Sequence, residues 1–123
     1  TRLTLVFLLS VSLTACAIHK PCFEGGDISW TPRIQGDKKC QQKTQPDGKV
    51  VNDGYFRQYY STTKELALEG QFVLGQKQGI WQFYGEDQRL KTVKFFEKGV
   101  EKNPPPKVQK EIDLIIEQKT GMK

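Results

Sequence analysis

The sequence predicts a mainly β protein, an antiparallel meander followed by one C-terminal amphipathic helix. Three observations carry that reading. Between residues 48 and 100 the chain repeats itself: Gly54-Tyr55-Phe56-Arg57-Gln58-Tyr59 returns as Gly79-Ile80-Trp81-Gln82-Phe83-Tyr84 at a spacing of 25, and Leu66, Phe72 and Gly75 return as Leu90, Phe96 and Gly99 at a spacing of 24. Self-similarity at a fixed period marks a stack of equivalent supersecondary units. Within the repeat, Leu66, Leu68, Phe72 and Leu74 alternate with Ala67, Glu69, Gln71 and Val73, the period of two that a strand imposes. Near the C-terminus, Val108, Ile112, Ile115 and Ile116 fall at i, i+4, i+7 and i+8, a helical stripe.

The chain opens on a segment outside that fold. Arg2 precedes a short apolar run from Leu3 to Leu13, and small residues then lead into Cys16, the pattern of a secretion signal. The run is about eleven residues, short of the ~18–20 needed to span a bilayer. Leu13-Thr14-Ala15-Cys16 resembles a lipobox, the signature of bacterial lipoproteins. The resemblance implies removal of the signal peptide 1–15, diacylglycerol on the Cys16 sulfur, and acylation (palmitate or a similar chain) of the new amine. Acyl chains in that number exceed what stable anchoring needs. Ala17, standing where an Asp would retain the protein at the inner membrane, implies a lipid-anchored place at the outer membrane, facing the periplasm. Residues 16–21 are then a tether, and its five residues beyond Cys16 reach at most about 17 Å.

With Cys16 taken by lipid, Cys22 and Cys40 remain in an oxidising compartment, where a disulfide between them is expected. Its loop of about 19 residues contributes ~3 kcal/mol by the chain-entropy estimate. A metal site is the rival for these thiols, but it needs more ligands, and the single histidine, His19, lies in the tether. A stapled segment 22–40 places Ile28 and Trp30 where they can cover the first hairpin.

Strands are expected at 50–60, 65–74, 79–84 and 89–97. Turn signals separate them: Pro46-Asp47-Gly48, Ser61-Thr62-Thr63-Lys64, Gly75-Gln76-Lys77-Gln78-Gly79 and Gly85-Glu86-Asp87-Gln88. In 79–84 both faces carry apolar side chains, so the sheet must be covered or curled. The last strand offers an open edge, with Lys91, Lys94 and Lys98 as protection against unwanted pairing.

Glu69-Gly70-x-Phe72-x-x-Gly75-x-x-x-Gly79-x-Trp81-x-x-Tyr84 resembles a MORN-type repeat, and in particular the bacterial MORN-like family labelled as antitoxin components. Cys22 and Cys40, followed by Asp47-Gly48 and Gly54-x-Phe56, also resemble exported members with a cysteine-stapled N-terminal segment. The likeness covers about residues 40–100. It departs from the pattern at Lys77-Gln78-Gly79, which lacks the usual histidine, at Gly85 in place of an aromatic residue, and at Val93-Lys94-Phe95 in place of the Glu-Gly pair. The resemblance implies a domain over 22–100 built from stacked hairpins, and such arrays need caps at both ends.

Residues 101–106 read as a proline-rich linker and 107–123 as the C-terminal helical segment, its helix running from Lys107 to Lys119, with Gly121 as its stop and Leu114 off the apolar stripe. A thirteen-residue helix is marginal alone, so Ile112, Ile115 and Ile116 bury either against the sheet or in a partner's groove. The aromatic set that includes Tyr59, Trp81 and Tyr84 fills the core or forms a binding surface.

These features exclude more functions than they select. Without the leader, 18 Lys and Arg face 14 Asp and Glu, a mild excess with one adjacent basic pair, Lys38-Lys39, unlike the clustered charge of a nucleic-acid binder. Ser29 and Ser61 sit in no nucleophile elbow, and no phosphate-cradling glycine motif occurs. Neither an enzyme, nor a cofactor, nor a small-molecule substrate is expected. The expected function is a membrane-anchored, non-catalytic binding or adaptor module in a cell-envelope protein assembly. The alternative is a periplasmic immunity or antitoxin-type inhibitor, which the label on the resembling family implies.

Overall fold

A computed structural model describes residues 19–27 and 34–121. The chain is mainly β. Strands β1 (Lys38–Thr44), β2 (Val50–Tyr59), β3 (Leu66–Val73), β4 (Gln76–Tyr84), β5 (Leu90–Glu97) and β6 (Val100–Glu101) form one antiparallel sheet in sequence order, and helix α1 (Pro106–Thr120) follows. The Cys22–Cys40 disulfide staples the N-terminal segment to β1, with 6.0 Å between Cα atoms.

The repeat is legible in the geometry. Gly54 pairs with Phe72 across β2 and β3, and Gly79 pairs with Phe96 across β4 and β5. Each of these pairs is followed by the same turn, which joins β3 to β4 and β5 to β6. Leu74-Gly75 and Lys98-Gly99 both take left-handed backbone conformations, the two-residue turn whose twist matches the flanking strands. Asp53 Oδ1 accepts the N–H of Leu74 at 3.0 Å, and Gln78 Oε1 accepts that of Lys98 at 3.0 Å, so a strand side chain fixes each turn. At the opposite end of the sheet, Asp87 accepts the N–H of Arg89 across the 85–89 loop. Asp47 accepts that of Lys49 in the β1–β2 loop in the same way.

One face of the sheet carries the core. Phe56, Leu68, Phe72, Trp81 and Phe96 are buried there with Cys22, and Trp81 is the hub. Its ring centroid lies 5.9, 5.2 and 6.2 Å from those of Phe56, Phe72 and Phe96, near edge-to-face with the last two, the favourable arrangement for ring quadrupoles. The N-terminal segment covers this face. Asn52 donates from its side chain to the Cys22 carbonyl at 2.7 Å, its N–H donates to the Gly25 carbonyl at 2.6 Å, and the Asp27 N–H reaches the Gly75 carbonyl. The expected contributions of Ile28 and Trp30 lie outside the described residues, as do the expected leader and the expected lipid site at Cys16.

Helix α1 packs against the other face, on β5. Pro106 occupies its first turn, where a missing N–H costs nothing, and Gly121 closes it in a left-handed conformation with its N–H on the Glu117 carbonyl. Ile112 is 6% exposed and Leu114 is 56% exposed, as the stripe and its exception require.

The elements differ from expectation at three places. Residues 38–40, expected at the end of the stapled segment, and residues 41–44, with no element expected, form strand β1 on the sheet edge. Residues 76–78, expected as turn, are strand, because Leu74-Gly75 alone reverses the chain. Glu101, expected in the linker, pairs with Phe96 in β6, so a short strand covers part of the β5 edge.

Candidate functional site

The helix does not cover its whole face. Beside it an open groove of about 390 Å³ runs over β2, β3 and β4, with Tyr55, Arg57 and Gln71 on the sheet side and Val108 and Glu111 on the helix side. Alternation explains the lining. Phe56 and Gln58 point into the core, so Tyr55 and Arg57 between them stand outward, Tyr55 being 42% exposed. In register, Tyr55 faces Gln71 and Arg57 faces Glu69. The Arg57 guanidinium lies 3.6 Å from the Glu69 carboxylate and over the Tyr55 ring at 5.6 Å, so the three side chains brace one another. Tyrosine and arginine are among the side chains enriched where proteins bind proteins.

One end of the groove is closed by a polar latch. Lys119, near the end of α1, donates to Gln82 Oε1 at 2.5 Å and to Glu69 Oε1 at 3.3 Å, and it meets the Tyr84 hydroxyl while lying over that ring at 4.8 Å. The Tyr84 hydroxyl in turn donates to Glu69 Oε1 at 2.9 Å. Burial raises the Tyr84 pKa first, and the Glu69 carboxylate adds to it. For Lys119 burial pulls downward, but Tyr84 and Glu69 outweigh it and hold the ammonium above its ordinary value. The tyrosine therefore stays neutral and the lysine charged, the states in which the latch holds.

The residues expected to bind a partner are scattered by the fold. Trp81 has 0% exposure and serves the core, so it offers no surface to a partner. Ile112 is buried under the helix, and Ile115 and Ile116 are half-buried beside it. Tyr84 belongs to the latch. Tyr59 lies elsewhere, in a small depression with Asp37, Lys39 and Lys64, beneath the Lys39 ammonium at 5.5 Å. The groove residues Arg57, Glu69 and Glu111 were not singled out by the sequence. The available signal was the outward position of Arg57 between Phe56 and Gln58, both buried.

The second unusual group is Lys77, 1% exposed on the core face of β4. Its ammonium lies 3.5 Å from the Asp27 carboxylate and 5.1 Å from the Phe96 ring centroid. Burial lowers its pKa and Asp27 partly offsets the loss. Lys77 stands at the repeat position of Asn52, and both residues tie the sheet to the covering segment. Among the described residues no three His, Cys, Asp or Glu side chains gather as a metal-holding group.

Comparison with known proteins returns no matching family model, no matching curated protein and no matching solved structure.

Proposed function

We propose that this chain is a bacterial lipoprotein with MORN-like hairpins, anchored at the outer membrane through Cys16, and that it acts there as a non-catalytic adaptor. Its partner is an envelope protein, held in the groove between α1 and the β2–β3 surface. The observation that carries the reading is the Tyr55–Arg57–Glu69 arrangement: Tyr55 and Arg57 exposed, half-buried Glu69 bracing them, and apolar Val108 and Ile80 on the border. Pre-ordered side chains lose little freedom on binding, which is where much of the cost of association lies. The lipobox-like Leu13-Thr14-Ala15-Cys16 supports the anchor, and the stapled Cys22 and Cys40 suit an oxidising compartment.

A photo-crosslinking residue placed at Tyr55, in cells carrying the protein at its natural level, tests the groove. The expected result is one discrete crosslinked species that disappears when Arg57 is replaced by Glu. A probe at Leu114, on the outer side of the helix, should give none. Equal crosslinking at both positions would contradict the assignment of the groove.

A further inference from the structure

The anchor proposed for Cys16 constrains which side of the domain meets the lipid. Between Cys16 and Lys20 lie four Cα–Cα steps, which reach no more than about 14 Å even when fully extended. Lys20 is itself fixed to the sheet: its N–H donates to Gln42 Oε1 at 2.9 Å, and its carbonyl accepts from Gln42 Nε2 at 2.7 Å. The β1 edge therefore cannot stand off from the surface that holds the anchor.

At that edge an aromatic residue is displayed against the usual rule. The Glu24 N–H bonds the Pro21 carbonyl at 2.9 Å, which makes Cys22 and Phe23 the central residues of a tight turn. Turn tips ordinarily carry small or polar residues. Here Cys22 is buried and locked to β1 by the disulfide, while Phe23 projects and is 50% exposed. The Lys38 ammonium lies 5.6 Å from the Phe23 ring centroid. His19, Lys20 and Lys38 line a depression with the ring.

We propose that the Phe23 turn is a bilayer-contact surface: the ring enters the headgroup zone of a phospholipid membrane, and Lys20 and Lys38 lie at the level of the lipid phosphates. Aromatic rings with a neighbouring cationic head are favoured at that depth, where one part is apolar and the other wet. The inference rests on the acylation of Cys16. Exposed Glu24 and Asp37 flank the two lysines, so the contact depends on the ring and not on net charge, and it does not require anionic lipid. It sets the strands along the membrane plane. The β5–β6 edge then points away from the bilayer.

The test uses the acylated protein purified from its own membrane, with the mass of residue 16 measured first, reconstituted in phosphatidylcholine vesicles whose acyl chains are brominated near the headgroup. In Phe23→Trp, the emission added over the parent protein should lose most of its intensity. In Val100→Trp, at the opposite edge on the exposed β6, the added emission should be unchanged. Incorporation of para-fluorophenylalanine reads the same contact without altering the turn, since the fluorine signal of Phe23 should broaden with headgroup spin-labelled lipid. An acylated protein in which position 23 is untouched by either quencher, or in which position 100 is quenched equally, overturns the bilayer contact and leaves the anchor standing. A residue 16 without lipid overturns the anchor itself, and this inference with it.

Discussion

Gly70 lies directly beneath the indole of Trp81: a Cβ at position 70 would stand 2.0 Å from the Trp81 Cδ2 atom. The missing side chain on β3 is what lets the Trp81 indole lie flat against the sheet and reach Phe56, Phe72 and Phe96. Gly70→Ala should therefore displace the hub and destabilise the fold by about 3 kcal/mol, the upper end for overpacking a close-fitted core. Urea denaturation followed by tryptophan emission measures the change, and a loss within error of zero would mean the ring is not held there.

Ile112→Ala should cost about 2–4 kcal/mol, because the side chain is buried under α1 and its removal leaves a hole the helix cannot close. Leu114→Ala, one turn-face away and exposed, should change stability by less than about 0.5 kcal/mol. Thermal unfolding of the two variants side by side separates a helix that completes the core from one that only rests nearby. Equal effects would favour the second.

Lys77 gives a pH dependence of definite sign. Burial depresses its folded pKa below the value of about 10.4 that it has in the unfolded chain. Below the folded pKa the native state bears the full cost of a buried ammonium, and as pH rises from there toward the unfolded value that cost is relieved. Lys77→Met removes the cost at every pH, and Asp27, half exposed, tolerates the loss of its partner. The variant should be at least as stable as the parent at pH 7, and its advantage should shrink as the pH rises toward the unfolded value. Denaturant titrations across that range check the trend, and an advantage that grows with pH would contradict it.

Cys22→Ser with Cys40→Ser should lower stability by about 3 kcal/mol, since the pair closes a loop across a separation of 18 residues. Because the same bridge holds the segment that covers the core, amide exchange at Asn52, whose N–H is bonded to Gly25, should accelerate in step. Unchanged exchange there would show that the segment stays in place without the bridge.

What the sequence discloses and what it hides follow from how each element meets its neighbours. Strand β3 shows the alternation most plainly because its inward Leu68 and Phe72 enter the apolar core, while β2 and β4 interrupt it with buried Asn52, Gln58 and Lys77, and the helix declares itself through its own apolar stripe. Strand β1 does not, because its inward residues are Lys38, Cys40 and Gln42, and the partner of Gln42 is the Lys20 backbone rather than an apolar neighbour. Strand β6 is two residues long, too short to display any period. The role of Trp81 is hidden by Gly70, whose importance appears only when the two strands are paired. The groove is hidden for a different reason: β2–β3 pairing gathers Tyr55, Arg57 and Glu69, but the opposite wall, Val108 and Glu111, arrives only with the docking of α1, which no local pattern encodes.

The anchored state of residue 16 tests the account most directly. Protein extracted with mild detergent from the envelope of its native host should begin at Cys16 and carry the mass of a diacylglycerol and one further acyl chain. An intact mass that shows bare Cys16, or the apolar leader from Leu3 to Leu13 still attached, would contradict the membrane-tethered adaptor described above.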